Sequence, residues 1–147
     1  MLQNIGKVYI PKKVLLETES YLSVRLETKI SFLELFNLSE NELSEVQKLM
    51  RLNLLQEGEA EVIILARKIQ ADWFITDDTA ARVTAAFMQM EVHGSLGIIL
   101  WNVSNRKITP EFGIEAMHKI RNTSLWISNK IFMEAINAIQ KFAKESD

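Results

Sequence analysis

The sequence predicts an α/β protein with a mainly parallel central sheet flanked by helices and a helical C-terminal extension. Short β-prone runs alternate with helical periodicities through the first two thirds of the chain, the order that builds parallel sheets. Residues 71–76 form a short run of the buried-strand kind between two helical patterns. From about residue 94 onward only helix-period patterns remain, and these form the extension.

Taken in order, residues 7–10 read as a strand, and Pro11 suits the first position of a helix, where its missing N–H is not needed. Val14, Leu15, Leu22 and Val24 carry that helix to about Arg25. Residues 30–38 are β-prone, with Phe32, Leu33, Leu35 and Phe36. Ser39 and Glu42 have capping-box spacing, so a helix bearing Leu43, Val46 and Leu49 follows. Gly58 opens a helix whose run Val62, Ile63, Ile64, Leu65 and Ala66 leaves few polar faces, which predicts burial on most sides.

After the strand at 71–76 a helix spans about residues 79–90, and residues 91–93 are a further strand candidate. The segment Gly94-Ser95-Leu96-Gly97 turns into an apolar helix over 98–101. Thr109 and Pro110 are an N-cap and first-turn Pro for a helix through about Arg121. Ser128 caps a last helix with Ile131, Phe132, Ala135, Ile136, Ile139 and Phe142 at helical spacing.

With 147 residues the chain reads as a single domain, 1–147, able to bury a sizeable core. Seventeen basic against nineteen acidic residues give a net charge of −2, which is no global footprint for nucleic acid but leaves room for a basic rim around an acidic centre. The absence of cysteine excludes disulfides, thiolate metal sites and cysteine nucleophiles, and it fits a cytoplasmic location. No secretory signal is visible, and the longest apolar stretches are too short to span a bilayer, so no membrane association is expected.

The chemistry-bearing residues are carboxylates. Glu57, Glu59 and Glu61 crowd one helix start, and Asp77 and Asp78 follow the buried strand. Ligands gather at the carboxyl ends of parallel strands, beside helix N-termini. Acids alone at the helix start stabilise its dipole by roughly 0.3–1 kcal/mol each. Glu59 shares a helix face with Val62, Ile63 and Ala66, so it is expected to point toward the sheet. Asp78 has the bland reading of an N-cap, which Asp77 lacks. Arg82, four residues after Asp78, reads blandly as a helical ion-pair partner and more sharply as a phosphate contact. His93 and His118 come with no nucleophile partner. Trp73, Trp101, Trp126, Met88 and Met90 read as packing.

Taken together, these motifs resemble the PIN-domain superfamily, in a branch related to the VapC-type toxins of toxin–antitoxin pairs. Residues 10–17 (Ile-Pro-Lys-Lys-Val-Leu-Leu-Glu) look like the family's strand–Pro–Val–Glu segment. Residues 58–66 look like its acidic helix start, and residues 74–82 like its strand–Asp–Arg segment. Residues 94–100 are similar to its glycine turn and helix, and residues 125–128 to the approach to its last helix. The resemblance implies a metal-dependent ribonuclease in which Mg²⁺ or Mn²⁺ is held by carboxylates. It assigns Glu17, Glu59 and Asp77 as catalytic and metal-site acids and Asp78 as a further ligand. Glu61 is the fallback if the helix is rotated, and Arg82 is the phosphate contact. RNA, an antitoxin protein and a second copy in a homodimer are the implied partners.

The family pattern begins with a strand ending in a metal-binding Asp and a helix, and neither precedes residue 10 in this sequence. Two expectations follow for the gap: residues 7–10 pair directly with 71–76, or a dimer partner supplies the strand. The alternative function is an inactive PIN-like binding or oligomerisation module that lacks the first metal-ligand Asp.

Overall fold

The computed structural model describes residues 1–22, 30–53, 55–123, 125 and 127–144. A short 3₁₀ turn, Leu2–Asn4, precedes β1 (Val8–Pro11), α1 (Lys12–Leu22), β2 (Leu33–Phe36), α2 (Glu40–Asn53), α3 (Glu57–Ile69) and β3 (Phe74–Ile75). Then come α4 (Thr79–Phe87), β4 (Val92–His93), α5 (Ser95–Ser104), α6 (Pro110–Arg121) and α7 (Asn129–Lys144). The architecture is α/β, as the alternation of patterns predicts. The expected continuation of α1 to Val24 and Arg25 lies outside the described residues, as does Trp126.

The chain divides into two compact units, Gly6–Val92 and Met1–Ile5 with His93–Asp147. In the first, β1 and β2 pair in parallel, with Val8 opposite Leu33 and Ile10 opposite Leu35. Tyr9 and Phe36 meet edge to face at 6.4 Å between ring centroids. Among the described residues the strands form two two-stranded sheets, β1 with β2 and β3 with β4. The expected pairing of residues 7–10 with 71–76 is therefore corrected: among the described residues β1 takes β2.

β3 is shorter than the sequence suggests because both its flanks serve helix ends. The Ala71 N–H donates to Ala66 O at 2.9 Å, closing α3. Beyond Ile75, Thr76 accepts from the Asp78 N–H and from Arg82 at the start of α4. What remains is Phe74, whose N–H donates to Glu91 O at 2.8 Å. α4 stops at Phe87 rather than residue 90. Gln89 there is left-handed, at φ 62, while the Met90 N–H returns to Ala85 O.

α3 is the centre of this unit and packs with α2, α4 and β1. Ala60, Ile63, Ile64 and Ala66 join Val46, Leu55, Phe74, Ala81 and Ala85 in one core, against which Met88 and Met90 also pack. The all-round apolar pattern of α3 thus becomes all-round burial. α2 begins at the predicted capping box, with the Ser39 N–H donating to Glu42 Oε2 at 2.7 Å.

The second unit has its own core, in which Ile99 and Val103 of α5, Ala116 and Met117 of α6, and Phe132, Ala135, Ile136 and Ile139 of α7 interlock. Its caps are those read from sequence: Thr109 Oγ1 accepts from the Phe112 N–H and Ser128 Oγ from the Ile131 N–H. Asn102, fully buried, donates to Ile98 O and accepts from Asn4, so it carries no unmet polar group. Trp73 and Trp101 are half-buried. No helix among the described residues is long and apolar enough to cross a membrane.

Candidate acidic site

Two helical faces of the first unit bring the carboxylates together. On α1, Lys13 and Glu17 are four residues apart and share a face; on α3, Glu57 and Glu61 do the same. Gly58 lies between the latter two and lets α1 come close. A Cβ at Gly58 would stand 3.1 Å from Glu17 Oε2 and 3.3 Å from Val14 Cγ2. Beside this contact opens a cleft of about 320 Å³ lined by Val14, Glu17, Gly58, Glu59 and Val62, and across from them by Phe74, Ile75 and Thr76.

The acids differ in what they do. Glu61 is only 4% exposed. Burial pushes its carboxyl above the usual carboxylate range; Lys13 opposes this, while the charges of Glu57 and Glu17 reinforce it. Among the described residues no hydrogen bond or ion pair holds the Glu61 carboxylate. No fully buried side-chain oxygen or nitrogen lacks a partner there, so the residual exposure of Glu61 falls on its carboxylate. Glu57 is ion-paired with Lys13, and this hydrogen bond holds the Lys13 ammonium above its ordinary range. Glu17 is exposed and lies against Gly58.

Glu59 lines the cleft but is turned to a different task. Its Oε2 accepts the Gln56 N–H at 2.8 Å, as the N3 acid of a capping box. Glu59 lies in the cleft lining with Phe74, Ile75 and Thr76, as its apolar-face position leads one to expect, and it also caps α3, because first-turn N–H groups have no helical acceptor and capture the nearest carboxylate. Glu61, one of the buried residues of α3 and outside that lining, is the more deeply buried acid. Asp78 is the N-cap of α4, with Oδ1 accepting the Ala81 N–H at 2.7 Å. Asp77 is exposed at the carboxyl end of β3, one residue past the cleft wall at Thr76. Arg82 makes no ion pair with Asp78; its Nη1 donates to Thr76 O at 3.1 Å. Among the described residues no three Asp, Glu or His side chains converge closely enough to hold a metal ion by themselves. His118 instead packs edge-on against Phe132 in the second unit.

Sequence reading passed over Lys13 and treated Glu57 only as a dipole acid. The signal available was the pair of i, i+4 couples, Lys13–Glu17 and Glu57–Glu61, with a glycine inside the second.

Fold and site together define an α/β protein with a cleft lined by two carboxylates, Glu17 and Glu59, at the carboxyl end of β3. The family model DUF3368, a PIN domain, matches residues 1–141. The chain belongs to this PIN-domain family, whose members are generally nucleases. No curated protein and no solved structure matches it.

Proposed function

We propose that the chain is a metal-dependent ribonuclease of the PIN type, hydrolysing RNA phosphodiester bonds with Mg²⁺ or Mn²⁺ at the carboxylates of α1 and α3, beside the cleft. The observation that carries this reading is the approach of α1 to α3 at Gly58, which sets Glu17 against the turn that bears Glu57 and Glu61, the last only 4% exposed. Acids on adjoining turns repel one another, and a cation offsets that repulsion. The donor set fits in kind and in number: Mg²⁺ is commonly held through one or two carboxylates, with water and substrate phosphate completing its shell.

Glu17 and Glu61 would hold the ion. Bound Mg²⁺ or Mn²⁺ supplies charge neutralisation at the scissile phosphate and a more acidic water. Glu59 fixes the start of α3 by capping it and so positions Glu61 one turn on. Arg82, anchored on Thr76, and Asp77 stand at the carboxyl end of β3, where an RNA phosphate approaching the cleft meets them. The same reading extends to a cytoplasmic, VapC-like toxin neutralised by an antitoxin protein. Growth arrest on expression, relieved by the product of a neighbouring gene, tests that part.

The test of the core reading is cleavage of single-stranded RNA with Mg²⁺ or Mn²⁺. Glu17→Gln, Glu61→Gln and Asp77→Asn are expected to lose activity by about 100-fold or more, as removal of an electrostatic catalytic group does. Glu59→Ala and Asp78→Ala are expected to lose mainly cap stability, about 0.5–2 kcal/mol. Cleavage that survives chelator and Glu61→Gln refutes the proposal.

The second reading, an inactive oligomerisation module, is favoured by α4. Val83 and Phe87, four residues apart on one face, are 66% and 89% exposed. Sedimentation of the wild type and of Phe87→Ser tests it: a dimer lost in the variant, with no RNA cleavage by either, supports this reading.

A further inference from the structure

We propose that the adjoining ends of α6 and α7 form a docking surface for single-stranded RNA, with Arg121 and Lys130 as its contacts. The net charge of −2 hides an uneven distribution. Residues 6–92 carry ten Lys and Arg against fourteen Asp and Glu, whereas residues 93–147 carry seven against five. Within the second unit, residues 116–133 hold Lys119, Arg121 and Lys130 and no acid at all. This stretch covers the last turn of α6 and the first turn of α7. The hydrogen bond from Arg121 to Asn129 Oδ1 ties the two turns together. A concentration of one sign on one end of a helical unit attracts a polyanion.

Arg121 is the centre of the surface. Its guanidinium lies over the ring of Phe132, 4.5 Å from the centroid. That ring is buried, and His118 meets it edge to face at 5.2 Å. Asn129 Oδ1 takes one guanidinium N–H. Arg121 is itself exposed, so its remaining N–H groups meet water. A guanidinium fixed in this way is pre-organised: its N–H groups suit a phosphate, and its plane suits an unstacked base. Bases within a duplex stack on one another and have no face to offer, which favours a single strand. Among the described residues neither Arg121 nor Lys130 has a carboxylate partner, although Glu134 follows Lys130 by four residues. Lys119, by contrast, is ion-paired with Glu115 at 2.6 Å. Arg121 and Lys130 thus have no ion pair to give up when a phosphate arrives. The surface goes beyond the ribonuclease reading and does not need it, because it lies in the second unit and asks only for binding.

The experiment is fluorescence anisotropy of a labelled single-stranded RNA titrated with the purified full chain, in EDTA and over a range of salt. Wild type is expected to bind, with log K falling against log salt by about 0.7 for each phosphate neutralised. Lys130→Gln, at an exposed side chain with no partner to disturb, is expected to lower that slope by about 0.7. Arg121→Gln is expected to weaken binding about tenfold. Arg121→Lys is expected to keep the slope but not the affinity, because an ammonium has no plane to stack. Lys48→Gln removes the same charge from an exposed position on α2 and is expected to change neither. No binding by wild type, a wild-type slope in Lys130→Gln, or an equal loss in Lys48→Gln overturns the proposal. So does duplex RNA that binds as tightly as the single strand. Polyglutamate that competes as well as unlabelled RNA also overturns it and marks the surface for an acidic protein. Binding in EDTA with these variant effects, but no cleavage with Mn²⁺, supports the surface and refutes the ribonuclease reading.

Discussion

Replacing Glu61 by Gln removes a charge and almost no volume, and the metal-free protein is expected to become more stable. Glu61 is 4% exposed, and its carboxylate faces Glu57 and Glu17 with Lys13 as the opposing charge. Each like-charge pair at about 4 Å costs about 1–4 kcal/mol, depending on the effective dielectric. Lys13 offsets a good part of this, and Gln brings an amide that still wants hydrogen bonds. The net gain is estimated at about 1–2 kcal/mol at pH 7, a rise in Tm of about 2–4 °C for each kcal/mol in a chain of this size. The sign with pH follows from the raised carboxyl. The folded state keeps the Glu61 proton at a pH where the unfolded chain, at the ordinary 4.5, has released it. The stability this contributes is full below 4.5 and is lost as pH rises through the folded value. Wild type and Glu61→Gln should therefore coincide in acid and diverge toward neutrality, in thermal melts run in EDTA. Excess Mn²⁺ should reverse the order, because an ion at 100 times its Kd stabilises only the protein that binds it, by about 2.7 kcal/mol. A Gln variant less stable than wild type at pH 7, or a difference that ignores pH, refutes the reasoning by showing that Glu61 is already paired.

Two further predictions concern the frame around the site. Gly113→Ala in α6 places a Cβ 2.5 Å from Val103 Cγ2 and 3.3 Å from Ile139 Cδ1. The helix-propensity gain of about 1 kcal/mol is outweighed by overpacking of about 1–3 kcal/mol, so denaturant melts should show net loss, and a stabilised variant refutes the close packing of α5, α6 and α7. Glu42 is held at about 2, below its ordinary 4.5, chiefly by the hydrogen bond from Lys68 and then by the Ser39 N–H. Its contribution is present above 4.5 and is lost as pH falls toward about 2; Glu42→Gln should flatten the stability profile in that window, and an unchanged profile refutes the pairing.

Local signals in the sequence translated well. Ser39 with Glu42, Thr109 with Pro110, Ser128 and Asp78 all cap the helices they were expected to cap, because a cap is decided within four residues. The all-round burial of α3 was equally visible in Val62 to Ala66. Pairing was not: β1 joins β2 across a sequence separation that no local pattern encodes, and 71–76 shrinks to Phe74–Ile75 because its flanks close α3 and open α4. The choice between Glu59 and Glu61 was hidden for a different reason. On a helix buried nearly all round, an apolar stripe does not single out one inward face. Glu59 lines the cleft with Val62 as the pattern requires, and its flexible side chain also reaches back to the Gln56 N–H. Lys13 carried no signal alone; it acquires meaning only once Gly58 brings α1 onto α3.

That contact explains how so well packed a unit tolerates its acids. Burying Ile63, Ile64 and Leu65 contributes about 1.5–3 kcal/mol each, and all three are at most 3% exposed on the helix that carries Glu61. The unfavourable charge sits on the same rigid turns as the favourable core, so it cannot relax by moving the backbone without opening that core. Relief comes instead from a side chain: Lys13 on α1, ion-paired with Glu57, sets an opposing charge against Glu61 without any backbone change.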